Sequence, residues 1–356
     1  SPGVHYSHVA FEGMSLAPAL GANGEMLGAN IVLFEERMQR MRNSIRSLRA
    51  GIPDETLMQQ FQQGTLDLSA VQADRVLRDR DGNATRAYIR PSYVRLGTYG
   101  VGPKDEAPFH LSVIEWNWPL YISEEVYKNG AVAVCFLDAQ RLEKIRGKLG
   151  GNYKDAGVHA KVARALNGNE ALYFGPYIIN QFGQSEYINS QENEKARLRL
   201  QKYGILVDGS GEDVIFEGRN GTIYYQPKDT NILGGTTREY IITHLAKRLG
   251  IKTEERPIGL PDIARRDVVG MAYVGNAVKV LPAREIRIYD SWQDEGKIKD
   301  FVELKISDNL QRIASEFEKE MFGLIPPSHP SLLTPVSLEE GRTARKVLDK
   351  VYSAWF

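Results

Sequence analysis

Residues 146–157 read RGKLGGNYKDAG and place Lys148 directly before a glycine pair and Tyr153. The stretch lies between an apolar run, GAVAVCFLD at 130–138, and a run with helical periodicity, VHAKVARAL at 158–166. This order predicts a strand, a bendable turn and a helix, which is typical of a mixed α/β protein. The residues alone leave two interpretations of Lys148: a solvated loop lysine, or an amine held at the edge of a pocket.

Length, charge and cysteine content limit the class of protein. The 356 residues are enough for two domains, and 25% of them are charged with a formal net charge of zero, so no nucleic-acid or anionic-membrane partner is expected. No apolar run approaches the roughly 20 residues of a membrane helix, and no signal peptide is expected. The single cysteine, Cys135, predicts a buried thiol and a reducing, cytoplasmic setting. The sequons at Asn83 and Asn220 are then incidental.

The pattern along the chain predicts two domains and an extension. We expect a small N-terminal α/β domain over 1–121 and a connector over 122–130. A larger β-rich domain with flanking helices is expected over 131–325, followed by a C-terminal helical extension over 326–356. The polar, weakly periodic segment 175–203 is interpreted as an insertion in the larger domain, partly helical at ENEKARLRLQ.

Local signals predict individual elements in the smaller domain. IVLF at 31–34 marks a strand end that leads into an amphipathic helix containing Met38 and Met41. Two further helices are expected at about 53–63 and 68–79. ATRAYIRPSYVRL and FHLSVIEWNW read as strands.

The larger domain carries clearer signals. An Asn-Gly turn between DVIFEG and TIYYQP predicts a hairpin, and VVGMAYV and VKVLPA read as two strands about a tight turn. GGTTREYIITHLAKRLG predicts a helix, with Thr236 and Glu239 in a capping-box pattern. ISDNLQRIASEFEKEMFGL predicts an amphipathic helix.

Three short motifs could carry chemistry, each with a structural alternative. The helix start LGGTTRE could bind an anion or form an ordinary N-cap, and it lacks the spacing of a Walker loop. VDGSGED at 207–213, which holds Asp208, Glu212 and Asp213, could bind calcium or form a turn. Tyr88 and Arg90 alternate on one strand face, where the arginine could bind a carboxylate or be solvated. The six histidines show no metal-binding spacing, so no metal site is expected.

The order of the motifs resembles a known family. GVHYSHVAFEGM, MQRM, AYIRP, KLGGNY, DGSGED, NILGGTTRE and YVGNAVKVLPA occur in the order found in class IV, fold-type IV pyridoxal-phosphate aminotransferases. The sequence resembles in particular the branched-chain amino-acid aminotransferases, from residue 4 to about residue 324. The resemblance implies the two-domain fold of the D-amino-acid aminotransferase type, pyridoxal 5'-phosphate as cofactor, and a homodimer.

The resemblance also implies a role for individual residues at the cofactor. Lys148 matches the lysine that forms a Schiff base with the cofactor, and Tyr153 matches the tyrosine that hydrogen-bonds its phenolic oxygen. Arg40 matches the arginine on the phosphate. It is joined there by Thr237 and by the backbone amides of Gly235 and Thr236.

The substrate residues follow from the same resemblance. Tyr88 and Arg90 match the pair that helps to seat the substrate α-carboxylate. The turn at Asn276 and Ala277 completes that seat through its backbone amides, and Asn276 also belongs to the cofactor site. The family lines its side-chain pocket with aromatic residues at the positions of Tyr6, Phe11, Trp118 and Tyr121.

Three features depart from the family pattern. The carboxylate that contacts the pyridine nitrogen is a glutamate in the family, whereas the aligned residue here is Asp208, which is one methylene shorter. The segment 175–203 resembles an insertion, and the tail beyond about residue 326 exceeds the family core.

The resemblance implies a ping-pong aminotransferase that acts on an L-amino acid with an apolar or aromatic side chain and a 2-oxo acid. The departures keep a second interpretation open, a diverged enzyme of specialised metabolism with the same cofactor, acting as a lyase or a D-amino-acid transaminase. A non-catalytic homologue is a third interpretation. Retention of Lys148, Tyr153, Arg40 and Thr237 argues against it.

Overall fold

The protein divides into two units. The structure is a computed structural model that describes residues 8–49, 51–96, 108–141, 147–227, 233–293 and 298–353. Unit 1 comprises Ser1–Tyr121, Gly147–Gly151 and Glu318–Phe356, and unit 2 comprises Ile122–Arg146 and Asn152–Phe317. Lys148 therefore belongs to unit 1, although its place in the chain falls within the segment 131–325 expected to form the larger domain.

Strands and helices both occur in the described residues, so the predicted mixed α/β class is confirmed. The strands are β1 Val9–Phe11, β2 Met14–Leu20, β3 Met26–Val32, β4 Ala87–Arg95, β5 Phe109–Asn117, β6 Ala131–Gln140, β7 Glu170–Ile179, β8 Ser185–Tyr187, β9 Gly204–Gly209, β10 Asp213–Gly218, β11 Ile223–Tyr225, β12 Thr253–Glu255, β13 Val268–Gly275, β14 Lys279–Tyr289, β15 Asp300–Glu303 and β16 Leu333–Val336. The helices are α1 Phe34–Ser47, α2 Glu55–Val76, α3 Glu124–Asn129, α4 Lys154–Ala165, α5 Glu194–Tyr203, α6 Thr236–Tyr240, α7 Leu260–Ala264, α8 Asp308–Met321 and α9 Leu338–Ser353. After α6 the chain stays helical to residue 248, with a π-helical turn at Ile241–Leu245.

Unit 1 contains an antiparallel sheet of six strands in the order β1-β4-β2-β3-β16, with β5 on the other edge of β4. β1 and β2 both pair with β4, at residues 92–94 and 87–89 respectively. Glu12 and Gly13 lie between these two pairings, and the Glu12 N–H donates to the Pro91 carbonyl at 3.0 Å. The sheet thereby brings this two-residue break opposite the centre of β4.

The helices of unit 1 differ from the prediction in one respect. The periodicity of α1 is confirmed, because Met38, Met41 and Ile45 are all buried. The prediction of two helices, at about 53–63 and 68–79, is wrong, because α2 is a single helix over Glu55–Val76. A Cβ at its midpoint, Gly64, would meet nothing within 4 Å, so this glycine faces open space. Its cost of about 1 kcal/mol is offset by the buried face on either side of it.

Unit 2 contains a sheet of ten strands in the order β12-β11-β10-β13-β14-β6-β7-β8, with β15 on β14 and β9 between β10 and β7. Its centre is β6, which pairs in parallel with β14 and β7. All but the last residue of β6 are buried, as expected of a continuous apolar run in a strand covered on both faces. The predicted burial of Cys135 is confirmed, at 0% exposure.

The segment 175–203, predicted to be an insertion, contributes to the sheet at both ends. β7 extends to Ile179 and pairs with β8, and α5 leads directly into β9. The Gln140 side chain donates to the carbonyls of Gly175 and Ile188, and it accepts from the Ser190 N–H at 2.7 Å. These contacts attach the segment to β6, a long-range effect that its polar composition does not reveal.

Other local predictions are confirmed. The Asn-Gly hairpin is formed by β10 and β11, with Gly221 at a φ of 79°. The tight turn predicted at Asn276 and Ala277 joins β13 to β14. The C-terminal extension contains the predicted helix, α9, but it also supplies β16, which pairs with β3. Among the helices of the described residues, none has the length and apolarity to cross a membrane.

Candidate active site

The backbone of Lys148 is attached to unit 1 on both sides. Its carbonyl accepts from the Phe11 N–H at 3.0 Å, and its own N–H donates to the Ser44 hydroxyl at 2.9 Å. Leu149 forms a β-bridge with Ala10, and Leu149 is buried in the same cluster as Met41. The glycine-rich turn is thereby held against β1 and α1, which places the lysine within unit 1.

Lys148 is half-buried, and its amine is unusually easy to deprotonate. Burial and, after it, the positive charge of Arg40 lower its pKa from 10.5 to about 8, while the negative charge of Glu12 opposes both. At pH 7 roughly one amine in ten is then neutral, compared with fewer than about one in a thousand for an exposed lysine. Lys148 is therefore available as a nucleophile near neutral pH.

Arg40 lies in a compact charged cluster with Glu12 and Arg37. Glu12 is fully buried and binds Arg40 through both oxygens, at 2.7 Å from Nε and 2.8 Å from Nη2. Arg37, one turn earlier on α1, donates from Nη1 to the Gly13 carbonyl at 2.6 Å. Burial lowers the pKa of Arg37 to about 10. Sequence reasoning identified Arg40 but missed Glu12, although Glu12 lies inside the quoted motif VAFEGM.

Tyr88 and Arg90 extend this cluster along β4. Arg90 Nη2 donates to the Tyr88 hydroxyl at 2.8 Å, and its guanidinium carbon lies 4.6 Å from the ring centre of Phe11. The Lys148 Nζ lies 5.2 Å from the centre of the same ring. The structure therefore brings five predicted residues together in unit 1, namely Lys148, Arg40, Phe11, Tyr88 and Arg90.

Aromatic side chains line one side of Tyr88. The ring centres of Trp116 and Trp118 each lie 4.6 Å from that of Tyr88, and Tyr121 packs edge-on against Trp118 at 5.8 Å. Trp118 and Tyr121 were predicted, whereas Trp116 was missed, although it precedes Trp118 by two residues and hence shares its strand face. The predicted residue Tyr6 lies outside the described residues.

Asp208 lies in unit 2 beside Arg141. Arg141 Nε lies 3.4 Å from Asp208 Oδ2, and Nη2 donates to the carbonyls of Gly209 and Ser210 at 2.6 Å each. The same guanidinium lies 4.5 Å above the ring of Tyr173. Arg141 therefore holds both the side chain and the following turn of the DGSGED motif. It was missed in the sequence because it stands 67 positions from Asp208.

Tyr153 lies beside the same turn. It ends a short 3₁₀ segment, Gly150–Tyr153, and precedes α4. A Cβ added to Gly211 would lie 3.9 Å from the Tyr153 ring. The turn at Gly275 also approaches the DGSGED turn, because a Cβ added to Gly275 would lie 3.4 Å from the Glu212 side chain. Unit 2 thus groups Tyr153, the DGSGED turn and the turn that holds Asn276 and Ala277.

The three acidic residues of the DGSGED motif have different partners. Asp208 pairs with Arg141, whereas Asp213 pairs with Arg238 at 3.1 Å. Glu212 is buried and accepts from the Gly211 N–H at 2.9 Å, and burial together with the charge of Glu170 raises its pKa. The calcium interpretation is wrong because these carboxylates do not converge, and the described residues contain no group of His, Cys, Asp or Glu arranged for a metal ion.

The helix start at Gly235 differs from the predicted capping box. Gly235 is the N-cap, no side chain caps the helix, and Thr236 is its first residue. The Thr236 hydroxyl is buried without a hydrogen-bond partner, and Thr237 is 2% exposed. Gly235 has no room for a side chain, since a Cβ there would overlap the Asp213 carboxylate. Bare amides and an unsatisfied hydroxyl at a helix start fit a phosphate group.

The predicted site residues fall into two sets. Unit 1 holds Arg40, Phe11, Tyr88, Arg90, Trp118, Tyr121 and Lys148, and unit 2 holds Tyr153, Asp208, Gly235, Thr236, Thr237, Asn276 and Ala277. Each set is grouped within its own unit by the contacts above. Each set by itself fits a part of pyridoxal phosphate: the reactive lysine and Arg40 of unit 1 suit an aldehyde and an anion, and the helix start of unit 2 suits a phosphate.

Comparisons with known proteins agree with this chemistry. A family model described as "Amino-transferase class IV" matches residues 193–286. The "Branched-chain-amino-acid aminotransferase" of Escherichia coli (strain K12) is 26% identical over 285 residues, which cover 79% of this chain and 78% of that protein. The "Probable branched-chain-amino-acid aminotransferase" of Aquifex aeolicus (strain VF5) is 33% identical over 144 residues, 38% of this chain and 45% of the relative.

Solved structures share the fold. The branched-chain aminotransferase of Thermoproteus uzoniensis, solved with norvaline, has a TM-score of 0.68 at 21% identity, over 95% of this chain and 93% of that one. The branched-chain amino acid aminotransferase of Thermobaculum terrenum, solved in its PLP form, has a TM-score of 0.66 at 17% identity, over 95% and 92%. The class IV aminotransferase model at residues 193–286 and the similarity to branched-chain amino-acid aminotransferases along most of the chain together indicate a pyridoxal-phosphate-dependent aminotransferase.

Proposed function

We propose that this aminotransferase moves the amino group of an L-amino acid with an apolar or aromatic side chain to a 2-oxo acid, in two alternating half-reactions. The observation that carries the proposal is the half-buried amine of Lys148, with a pKa of about 8, 5.2 Å from the centre of the Phe11 ring on which Arg90 also packs. A scaffold protein has no use for a partly desolvated lysine of this kind, since desolvation of its amine costs stability. The amine therefore supports catalysis over a structural role.

Lys148 performs two tasks in this proposal. Bound pyridoxal phosphate supplies an aldehyde and a ring that delocalises electrons. The neutral Nζ of Lys148 would bond to that aldehyde carbon with loss of water. Once the substrate amine displaces it, the free amine would take the proton from the substrate Cα and deliver it to the former aldehyde carbon. A pKa of about 8 serves both tasks, because the amine is neither fully protonated nor weakly basic at neutral pH.

The motif resemblance assigns Arg40 and the helix start at Gly235 to the cofactor phosphate. Arg40 supplies positive charge, and the helix start supplies the amides of Gly235 and Thr236 with the hydroxyl of Thr237. The buried, unpartnered hydroxyl of Thr236 supports this assignment, because a phosphate oxygen would satisfy it. Asn276, in the turn between β13 and β14, is proposed to contact the cofactor as well.

Asp208 and Tyr153 are assigned to the cofactor ring. Asp208 would keep the pyridine nitrogen protonated, and Tyr153 would hydrogen-bond the phenolic oxygen. The guanidinium of Arg141 supports the role of Asp208, since it pairs with the carboxylate at 3.4 Å and fixes the direction in which its short side chain points.

Substrate recognition is assigned to the aromatic end of unit 1. Arg90 would pair with the α-carboxylate, assisted by Tyr88 and by the amides of Asn276 and Ala277. Phe11, Trp118 and Tyr121 would contact an apolar side chain, which supports a branched-chain or aromatic substrate. Tyr6 is proposed for the same pocket on the basis of its motif.

The assembly and setting complete the proposal. A homodimer is expected for a protein of this family. A reducing, cytoplasmic setting fits the single buried cysteine.

The test is a visible absorption spectrum of the purified protein with pyridoxal phosphate. Absorbance of lysine-linked cofactor should be present in the unmodified protein and in Lys161→Ala, and it should be lost in Lys148→Ala, because only Lys148 forms the linkage. An unmodified protein without this absorbance would refute the proposal. A panel of amino acids then distinguishes transamination from lyase chemistry, since transamination yields the aminated cofactor and the matching 2-oxo acid.

A further inference from the structure

Glu12 occupies an unusual position in unit 1. It lies in the break between β1 and β2, and its side chain is 0% exposed. Both carboxylate oxygens bind Arg40, at 2.7 Å and 2.8 Å, on the edge of the guanidinium formed by Nε and Nη2. A buried carboxylate is costly unless its charge is compensated and its lone pairs are satisfied. A buried carboxylate at Glu12 therefore has to be explained by the groups around it.

Three cations surround this carboxylate. Arg40, Lys148 and Arg37 all lower its pKa, against the opposing effect of burial. Arg37 is itself 2% exposed and is held by the Gly13 carbonyl at 2.6 Å. Glu12 thus supplies negative charge at a point where the chain buries positive charge from α1 and from the Gly147–Gly151 segment.

The contact with Arg40 has a directional consequence. A carboxylate on the Nε–Nη2 edge takes two of the five N–H donors and fixes the plane of the guanidinium. Glu12 binds only Nε and Nη2, so it fixes the plane of the guanidinium without itself covering Nη1. An arginine held in one orientation loses less conformational entropy when it binds a phosphate.

The influence on Lys148 is electrostatic, and the two residues are close in the fold because the Lys148 carbonyl accepts at 3.0 Å from the N–H of Phe11, the residue before Glu12. The groups of unit 1 that act on its amine are Arg40 and Arg37 from α1, Tyr88 from β4, and Glu12 from the β1–β2 break. The two arginines favour the neutral amine, whereas Glu12 favours the charged one. Removing the charge of Glu12 while keeping its shape should therefore make Lys148 easier to deprotonate.

We propose that Glu12 is a positioning residue with two tasks: it orients Arg40 for the cofactor phosphate, and it is the counter-ion of the Lys148 amine. The inference rests on the proposed function, in that the anion is taken to be the phosphate of pyridoxal phosphate. The alternative is that Glu12 only occupies the anion-binding donors of Arg40 and competes with phosphate for them.

The experiment compares Glu12→Gln with a matched control in the full-length apoprotein. Glu35→Gln removes one negative charge from an exposed position at the start of α1, where Glu35 accepts from Gln62. The first readout is the pH dependence of Lys148 acetylation by acetic anhydride, followed by peptide mass spectrometry. The midpoint should lie near 8 in the unmodified protein and in Glu35→Gln, and it should move to lower pH in Glu12→Gln.

The second readout compares two ligands, pyridoxal phosphate and pyridoxal, which lacks the phosphate. Glu12→Gln should weaken pyridoxal phosphate binding by roughly tenfold or more, the size of a disturbed charge-assisted hydrogen bond, and weaken pyridoxal less. A merely structural role would not separate the two ligands or lower the lysine midpoint. Tighter binding of pyridoxal phosphate in Glu12→Gln would identify Glu12 as a competitor and overturn the proposal.

Failure of the proposal can be told apart from failure of the proposed function. If unmodified protein does not take up pyridoxal phosphate, the function fails, while the acetylation midpoint still tests the counter-ion. An unchanged midpoint together with unchanged affinities in folded Glu12→Gln overturns the proposal. If that variant does not fold, Glu12→Asp carries the test: it keeps the charge, so the midpoint should stay near 8 while the phosphate-dependent affinity falls.

Discussion

Arg141 Nε lies 3.4 Å from Asp208 Oδ2, while the same guanidinium donates at 2.6 Å to the carbonyls of Gly209 and Ser210. Asp208 therefore cannot be moved independently of the turn that follows it. The motif resemblance places Asp208 where the family has a glutamate, which is one methylene longer. Under the proposed assignment, a side chain with fewer rotatable bonds, fixed by a buried arginine, would be a rigid acceptor for a proton-bearing ring nitrogen.

Asp208→Ala should retain uptake of the cofactor and lose most of its turnover. The lysine and the phosphate contacts remain, but the charge that stabilises the protonated ring is removed, which should lower kcat by about 100-fold. Cofactor absorbance and steady-state turnover measure the two effects separately. Asp155→Ala, at an exposed position on α4, is the control. Full activity in Asp208→Ala would show that the ring carboxylate is a different residue.

Thr236→Val should weaken binding of pyridoxal phosphate by about tenfold without lowering the stability of the apoprotein. The hydroxyl has no partner in the structure, so its removal breaks no hydrogen bond, yet a bound phosphate would lose one. Cofactor titration and thermal unfolding of the apoprotein measure the two quantities. Thr243→Val, at an exposed position on the same helix, should change neither affinity nor stability. An unchanged affinity in Thr236→Val would place the phosphate elsewhere.

Gly13→Ala should impair substrate binding. A Cβ at Gly13 would overlap the Tyr88 hydroxyl, which accepts from Arg90 at 2.8 Å, so the pair must shift. Overpacking of this kind costs about 1–3 kcal/mol of stability. Displacement of Arg90 should separately raise the KM for the amino acid by roughly tenfold, the size of a disturbed charge-assisted hydrogen bond. Gly28→Ala, where a Cβ would make ordinary contact at 3.7 Å with Ala19, is the control. Equal KM values in the two variants would contradict the assignment of Tyr88 and Arg90 to the carboxylate.

The rate at which apoprotein combines with pyridoxal phosphate should rise with pH and level off above pH 8. The neutral amine is the reactive form, and burial with the charge of Arg40 lowers the pKa of Lys148 to about 8. The charged form is thus disfavoured in the folded protein, so the neutral fraction grows as pH increases through 8. Stopped-flow absorbance over a pH series measures the midpoint. A midpoint near 10.4, the value of an exposed lysine, would mean that the amine is solvated.

Local sequence patterns were sufficient for most of the elements. The buried run of β6, the Asn-Gly hairpin of β10 and β11, and the amphipathic face of α1 follow from residue spacing, because burial and turn geometry impose a period on neighbouring residues. The family motifs supplied the chemical roles of Lys148 and Arg40. Neither role follows from the spacing of charges alone.

Long-range pairing was decided by the tertiary structure. The strand β16, the attachment of 175–203 through Gln140, and the single helix α2 depend on partners distant in the chain, and no local period records such partners. The predicted capping box at Thr236 is also wrong, because Gly235 is the N-cap of the helix. The Asp213 carboxylate, which is distant in the chain, occupies the space beside Gly235.

The sequence by itself determined which residues are available for catalysis: a lysine before a glycine pair, an arginine on an amphipathic helix, a glycine-rich helix start and an acidic turn. The tertiary structure alone decided their ionisation and orientation. Glu12 meets Arg40 across 28 positions, and Arg141 meets Asp208 across 67, because strand pairing and helix packing bring them together. Burial among these charges, rather than the identity of the lysine, is what lowers the pKa of Lys148 to about 8.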